Sequence, residues 1–200
     1  HEMAARKSFH HPRDDFWSRC RNFIDLQNVE ERRQKRRIPR QLTMNIKLIA
    51  IGKTDDKALQ SLIDDYTKRL SFYIKFELDI IHDIKNAKNL SESQQKEKEG
   101  ELILFKITPT DQLILLDENG KMFSSVAFSS ELQKKMNSGI KTLVFVIGGP
   151  YGFSETVYKK AAGKISLSQM TFSHQMVRLF FIEQLYRGFT ILRNEPYHHH

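Results

Sequence analysis

The chain has 200 residues, of which 40% are hydrophobic, and a formal net charge of +8, a length that suits one domain with its own core. Its single cysteine, Cys20, excludes an internal disulfide framework and a cysteine-rich zinc site. No apolar stretch approaches the roughly 20 residues that a membrane-spanning helix needs. We therefore expect a cytoplasmic protein with no membrane segment and no bound metal.

The positive charge is concentrated near the N-terminus. Residues 1–43 hold 11 Lys/Arg against 6 Asp/Glu, which leaves 21 against 18 for residues 44–200. This first segment lacks helical or strand periodicity and contains the charge run EERRQKRRIPRQ, so it is predicted to be a disordered basic extension outside the working domain. At the other end, residues 199–200 are typical of a tag remnant. The small net positive charge of the residues between these two segments is compatible with an RNA partner but does not require one.

Strand and helix patterns alternate from Met44 onward. Strands are predicted at residues 45–52, 72–81, 112–117, 142–147 and 164–168. Helices are predicted at residues 59–70, after a capping box of Ser91 and Gln94, and at residues 125–137, 154–162 and 173–192. This order predicts an α/β domain with a mainly parallel sheet and helices on both of its faces.

Three strands end in segments suited to ligand binding, because ligands of parallel sheets lie outside the carboxyl ends of the strands. These ends are Leu116–Asp117, the turn GGPYG after "FVI", and LSQMTF after "KIS". A glycine cluster alone is more often only a tight turn. The sequence has neither GxxxxGK[ST] nor GxGxxG after its first strand, which disfavours a standard ATP or NAD site.

The C-terminal segment SHQMVRLFFIEQLYRGFTILRNEPYHH predicts a long helix with apolar residues beyond one stripe. Such a pattern indicates burial on more than one side, as in a subunit interface. Its cationic candidates are His174, Arg178 and Arg187. The simpler interpretation is a core helix with solvated arginines.

The motifs LLDENGK, VIGGPYGF and ISLSQMTFSHQMVRLFFIEQLYRGFTILRNEPYHH, in this order, resemble the RlmH family. That family consists of SPOUT-class methyltransferases that modify N3 of a pseudouridine in large-subunit (23S) ribosomal RNA. The resemblance covers residues 44–198, the predicted methyltransferase domain. It implies a C-terminal trefoil knot, and a homodimer whose C-terminal PYHH reaches toward the cofactor of the partner. It further implies S-adenosylmethionine bound at Leu116, Gly148, Leu167, Ser168, Gln169, Met170, Thr171 and Phe172.

The matched tail supplies five catalytic candidates, namely His174, Arg178, Arg187, Tyr197 and His198. The two arginines are expected to hold RNA phosphate or developing negative charge, and Tyr197 and His198 to position the base and accept its proton. Asp117 is a candidate for the cofactor's ribose, or an ordinary turn residue. Two other functions stay open here: a noncatalytic ribosome-binding protein with a knotted fold, and a Rossmann-like nucleotide-binding enzyme.

Overall fold

The computed structural model describes residues 44–84 and 89–198, so the predictions for residues 1–43 and 199–200 lie outside the described part. Five strands and five helices alternate along it. In chain order they are β1 Asn45–Ile51, α1 Lys57–Leu70, β2 Lys75–Ile81, α2 Glu92–Phe105, β3 Asp111–Met122, α3 Ser125–Asn137, β4 Thr142–Ile147, α4 Glu155–Lys160, β5 Gly163–Ser166 and α5 His174–Leu192.

The strands form one sheet in the order β2-β1-β4-β3-β5. All four neighbouring pairs are parallel, which confirms the predicted α/β class. Since the strands are parallel, the carboxyl ends of β3, β4 and β5 lie at the same edge. The trefoil knot stays a prediction.

Two apolar layers hold the helices on opposite faces of the sheet. Alternate residues of β4 divide between them, with Phe145 in one layer and Val146 in the other. The first layer includes residues of α1, α3 and α5, and the second includes residues of α2 and α4. Helices therefore cover both faces, as the continuous apolar strands predict.

Side-chain caps fix the helix starts that the sequence indicates. The Asp56 carboxylate accepts a hydrogen bond from the Leu59 N–H at 2.9 Å, and Ser91 with Gln94 forms the complete predicted capping box. Ser173 caps α5 by accepting from the Met176 N–H. Helix α5 begins directly after this cap, so the expected long C-terminal helix is confirmed.

The region after β3 differs from its prediction. The strand was expected to end at Asp117, but it continues to Met122. Residues 117–120 interrupt its pairing with β5, and this segment is called the β3 excursion. Leu116 and Lys121 both pair with Ile165, so the residues between them loop out of the ladder. Gly120 is required there, because a Cβ at this position would lie 2.4 Å from the Ile165 carbonyl carbon. Among the other elements, β2 begins three residues later than predicted and β5 and α4 end two residues earlier.

Candidate functional site

A cleft of about 620 Å³ opens where β3, β4 and β5 end, within the usual size range of small-molecule sites. Segments far apart in the chain meet around it: the β3 excursion, the glycine turn after β4 and the loop after β5. The cleft brings together all eight residues predicted to bind cofactor, which are Leu116, Gly148, Leu167, Ser168, Gln169, Met170, Thr171 and Phe172. A scattered arrangement would have contradicted a common site.

The glycines of the turn after β4 are needed for two different reasons, backbone conformation and lack of space for a Cβ. Gly152 has φ +82°, a conformation that favours glycine, and its N–H donates to the Gly149 carbonyl at 3.1 Å. A Cβ on Gly149 would lie 2.3 Å from Oε2 of Glu99, and a Cβ on Gly148 would lie 3.1 Å from the Phe153 ring. Packing within the chain thus accounts for these glycines, and their role in cofactor approach stays a prediction.

The loop after β5 is shaped by its own serines. The Ser166 hydroxyl donates to the Ser168 carbonyl, and the Ser168 hydroxyl accepts from the Met170 N–H, both at 2.9 Å. Phe172 then packs edge-on against Phe180 of α5, with ring centroids 5.1 Å apart. These contacts turn the main chain around the cleft and anchor the loop to α5.

A carboxylate and a tyrosine meet at the wall of the cleft. Tyr158 of α4 donates its hydroxyl hydrogen to Oδ2 of Asp117 at 2.5 Å, and the Asn119 N–H donates to Oδ1 at 2.8 Å. Both side chains line the cleft. Burial, followed by the hydrogen bond to Asp117, raises the pKa of Tyr158 to about 12.

His174 is the only catalytic candidate among the residues that line the cleft. His174 is exposed to solvent, but the atoms packed near its ring still desolvate it in part. This partial desolvation, followed by the positive charge of Arg178, lowers its pKa below the usual 6.5, and a hydrogen bond with the Gly148 backbone partly offsets this. The imidazole is therefore mainly neutral at neutral pH. A neutral ring nitrogen beside the cleft can accept a proton.

The structure contradicts the RNA-contacting role expected for Arg178. Its side chain is only 1% exposed. One guanidinium nitrogen donates to the Ile51 carbonyl at 2.7 Å and the other donates to the Thr54 hydroxyl at 2.8 Å. Arg178 instead ties α5 to the end of β1, because its position gives RNA no access to the guanidinium.

The remaining candidates form a separate cluster at the far end of α5. Arg187 pairs with Glu183 at 2.5 Å and lies 3.5 Å from Nδ1 of His198. The Tyr197 hydroxyl donates to the same Glu183 oxygen at 3.0 Å, and the Arg187 guanidinium lies over the Tyr197 ring. Arg187 comes thirteen positions after His174 on α5, which corresponds to about 20 Å along the helix axis. Within one chain Arg187 therefore lies well away from His174.

Further contacts hold the tail in place. The hydroxyls of Tyr66 and Tyr197 lie 3.1 Å apart, and Tyr73 donates to the Glu195 carboxylate. Burial, with the hydrogen bonds to Tyr66 and Glu183, raises the pKa of Tyr197. Tyr197 therefore remains protonated and donates its hydroxyl hydrogen to Glu183. The expectation that Tyr197 and His198 together position the base and accept its proton stays a prediction.

Several residues in or next to the site were absent from the sequence predictions. The sequence did indicate Glu183 as an ion-pair partner, because it lies four residues before Arg187 on a predicted helix. Glu99 had no such signal: it occurs in a polar run, yet it is 3% exposed and its Oε2 has no hydrogen-bond partner. Tyr158 also lacked a signal, since its contact with Asp117 spans 41 residues.

A smaller hollow of about 220 Å³ adjoins the cleft and is mostly apolar. It shares Ser166, Leu167 and Phe172 with the cleft and extends to Phe180 and Glu183 of α5. In residues 44–84 and 89–198, no cluster of three or more His, Cys, Asp or Glu side chains could hold a metal ion. No helix in those ranges is both long enough and apolar enough to cross a membrane.

This protein is therefore a parallel α/β protein that has a small-molecule cleft at its strand ends and lacks a phosphate-binding fingerprint. The sequence model of the family described as "Predicted SPOUT methyltransferase" matches residues 44–198. The chain belongs to this SPOUT methyltransferase family, which confirms the resemblance found in its motifs.

Curated relatives are similar over nearly their whole length. The chain is 89% identical over 156 residues to the "Ribosomal RNA large subunit methyltransferase H" of Flavobacterium psychrophilum, and 88% identical to that of Flavobacterium johnsoniae. It is 53% identical over 156 residues to the protein of the same name from Bacteroides thetaiotaomicron. Each match covers 78% of this chain and 99% of the relative.

Proposed function

We propose that this protein is an S-adenosylmethionine-dependent methyltransferase that methylates N3 of a pseudouridine in 23S ribosomal RNA, within assembled ribosomes or large subunits. Its family membership and its relatives named as large-subunit methyltransferases support the reaction class. The observation that carries the proposal is the convergence of Leu116, Gly148 and residues 167–172 on one cleft. A protein with this substrate works where ribosomes are, in the cytoplasm.

The cleft residues fit S-adenosylmethionine. The main chain of Gly148–Gly152 offers polar backbone groups, whereas Leu116, Leu167 and Phe172 offer apolar surface for a purine ring. The Asp117 carboxylate offers acceptors for hydroxyl groups. When bound, this cofactor supplies a methyl group that its sulfonium makes electrophilic.

The protein must orient the base and remove a proton, because N3 of a uracil-type ring carries hydrogen near neutral pH. His174 lines the cleft, and its lowered pKa keeps the imidazole able to accept that proton. Tyr197, whose hydroxyl hydrogen is donated to Glu183, positions the base through its ring and its hydroxyl oxygen. Arg187 supplies positive charge for RNA phosphate or for negative charge that develops on the ring.

The spacing of about 20 Å along α5 between His174 and Arg187 of one chain supports a site shared by two subunits. We infer that the enzyme is a homodimer in which the C-terminal cluster of one chain completes the cleft of the other. The pairing of Arg187 with Glu183 and Tyr197 holds the cluster ordered before the partner and the RNA bind. His198 then stands beside Arg187 at this composite site.

Two measurements test the proposal. Calorimetric titration of the purified full chain with S-adenosylmethionine should show one site per chain, and mass spectrometry of 23S rRNA should find the methylated pseudouridine only in cells that carry the gene. Failure to bind the cofactor would favour a noncatalytic ribosome-binding protein. Binding without any change in rRNA would mean that the substrate is wrong.

A further inference from the structure

Two structural elements meet at the Asp117 carboxylate, and a third supports the tyrosine that contacts it. The carboxylate belongs to the β3 excursion, its Oδ2 accepts from Tyr158 of α4, and its Oδ1 accepts from the Asn119 N–H of the same excursion. Lys164 of β5 places its ammonium 5.3 Å from the centre of the Tyr158 ring. The carboxylate is thereby held in one orientation at the wall of the cleft.

Tyr158 is suited to hold a carboxylate throughout the physiological range. Its hydroxyl stays protonated, because burial and the hydrogen bond to Asp117 keep its pKa far above neutrality. A protonated phenol can only donate to an ionised carboxylate, so the direction of this hydrogen bond is fixed. The bond links α4, which follows the glycine turn, to the β3 excursion.

The carboxylate retains capacity for further hydrogen bonds. An ionised carboxylate has about four lone-pair sites, and two protein donors occupy one site on each oxygen. Asp117 is partly exposed and lines the cleft together with the main chain of Gly148 and Gly149. Neighbouring hydroxyl groups, one for each oxygen, would match this remaining capacity.

We propose that Asp117 accepts hydrogen bonds from the vicinal ribose hydroxyls of the cofactor, and that Tyr158 is a positioning residue that orients this carboxylate. The inference rests on the proposed function, since it concerns how the same cleft selects its cofactor. A hydrogen bond to an ionised acceptor is stronger than one between neutral groups. A ligand that lacks a hydroxyl would leave the desolvated carboxylate without its partner, and the cleft should therefore reject it.

The test compares two unreactive ligands by calorimetry with the full chain: S-adenosylhomocysteine and its 2′-deoxy analogue. The native protein should bind the ribose form about 10- to 100-fold more tightly. Asp117→Asn should reduce this preference to about threefold or less, and Tyr158→Phe should reduce it to an intermediate value. The ratio is a sound readout because a partly unfolded sample weakens the apparent binding of both ligands equally.

Asp111→Asn is the matched control, since Asp111 lies at the opposite end of the same strand. It should keep the full preference for the ribose form. An unchanged preference in Asp117→Asn, or no preference in the native protein, would overturn the inference while leaving methyl transfer intact. If the native protein binds neither ligand and does not bind S-adenosylmethionine, the proposed function itself fails.

Discussion

At the scale of single residues, Arg178 shows a cationic side chain that serves the fold. Replacing it with alanine would leave the Ile51 carbonyl and the Thr54 hydroxyl without their charged donor. We expect Arg178→Ala to lower the free energy of unfolding by about 2–4 kcal/mol, measured by urea denaturation. Arg69→Ala is the control, because Arg69 is exposed and its ion pair with Asp65 should contribute about 0.5 kcal/mol or less.

An Arg178→Ala protein as stable as the native one but inactive in methyl transfer would contradict this interpretation. In that case Arg178 would serve the reaction. The contrast with Arg187 matters here, because the Arg187 side chain is partly exposed whereas that of Arg178 is buried. Arg187→Ala should spare cofactor affinity and reduce turnover on ribosomes.

Glu99 is a buried acid whose charge should reduce stability. Burial, with a contribution from the negative charge of Asp83, raises its pKa above 4.5, and the hydrogen bond from Gln95 only partly offsets this. The folded protein thus keeps a proton that the unfolded chain releases, and stability falls as pH rises from 4.5 through the folded pKa. Glu99→Gln removes this loss while keeping the side-chain volume.

We therefore expect Glu99→Gln to raise Tm by about 2–4 °C at pH 7 and to match the native protein at pH 4. Thermal unfolding followed by circular dichroism from pH 4 to pH 8 measures the difference. Glu101→Gln, an exposed substitution on the same helix, should change Tm little. A difference that stays constant over this pH range would show that the charge of Glu99 does not cause the effect.

At the scale of elements, the contact between β3 and β5 shapes the loop that lines the cleft. A Cβ at Gly120 would lie 2.4 Å from the backbone of Ile165, which no side-chain rotation relieves. Gly120→Ala should cost about 1–3 kcal/mol of unfolding free energy and weaken binding of S-adenosylmethionine, because Ile165 lies two residues before the loop that lines the cleft. Urea denaturation and calorimetry measure the two effects.

Gly163→Ala is a matched control on the facing strand. Its Cβ would lie 3.5 Å from a methyl carbon of Ile114, an ordinary contact, so both stability and cofactor affinity should change little. Equal losses in the two variants would mean that the strands tolerate no side chain at either position. The close approach at Gly120 would then not be the specific cause.

Local signals explain how much of the fold the sequence predicts. Caps such as Ser91 and Ser173 involve residues three positions apart, so they are visible in the sequence and the helices begin where expected. The continuation of β3 depends on pairing with β5, which is more than forty residues away. Sequence-local patterns cannot report that pairing, so the strand was predicted to be too short.

The same limit applies to the candidate site. Arg178 and Arg187 are nine residues apart, which places them on opposite faces of α5. Because that helix is apolar on more than one side, its pattern does not tell which arginine is buried. The cleft residues were easier to predict from the sequence, because the strand ends of a parallel sheet lie close together whatever their side chains are.

At the scale of the whole molecule, the modest charge of residues 44–200 bears on substrate recognition. These residues carry 21 Lys/Arg against 18 Asp/Glu. Phosphate contacts dominate nonspecific affinity for nucleic acid, so such a domain should bind free RNA weakly. Methylation should therefore be efficient on ribosomes or large subunits and poor on protein-free 23S rRNA, as measured by methyl incorporation from labelled cofactor. Equal rates on both would show that the assembled surface is not required.

The distance between His174 and Arg187 on one chain leads to a complementation experiment. In a two-fold dimer with shared sites, a cleft variant (Gly148→Val) and a tail variant (Arg187→Ala) would each be inactive alone. Mixing them through dissociation and reassociation forms heterodimers in which one of two sites combines a native cleft with a native tail. About a quarter of native activity should return, because half of the dimers would be mixed.

The cleft variant must first be shown to fold, since a Cβ at position 148 would press on the Phe153 ring. Its melting curve and dimer size should therefore match those of Arg187→Ala before mixing. If each chain built its site from its own cleft and tail, every chain in the mixture would carry a defect. No activity would then return, and the 20 Å between His174 and Arg187 would have to be closed by movement within one chain.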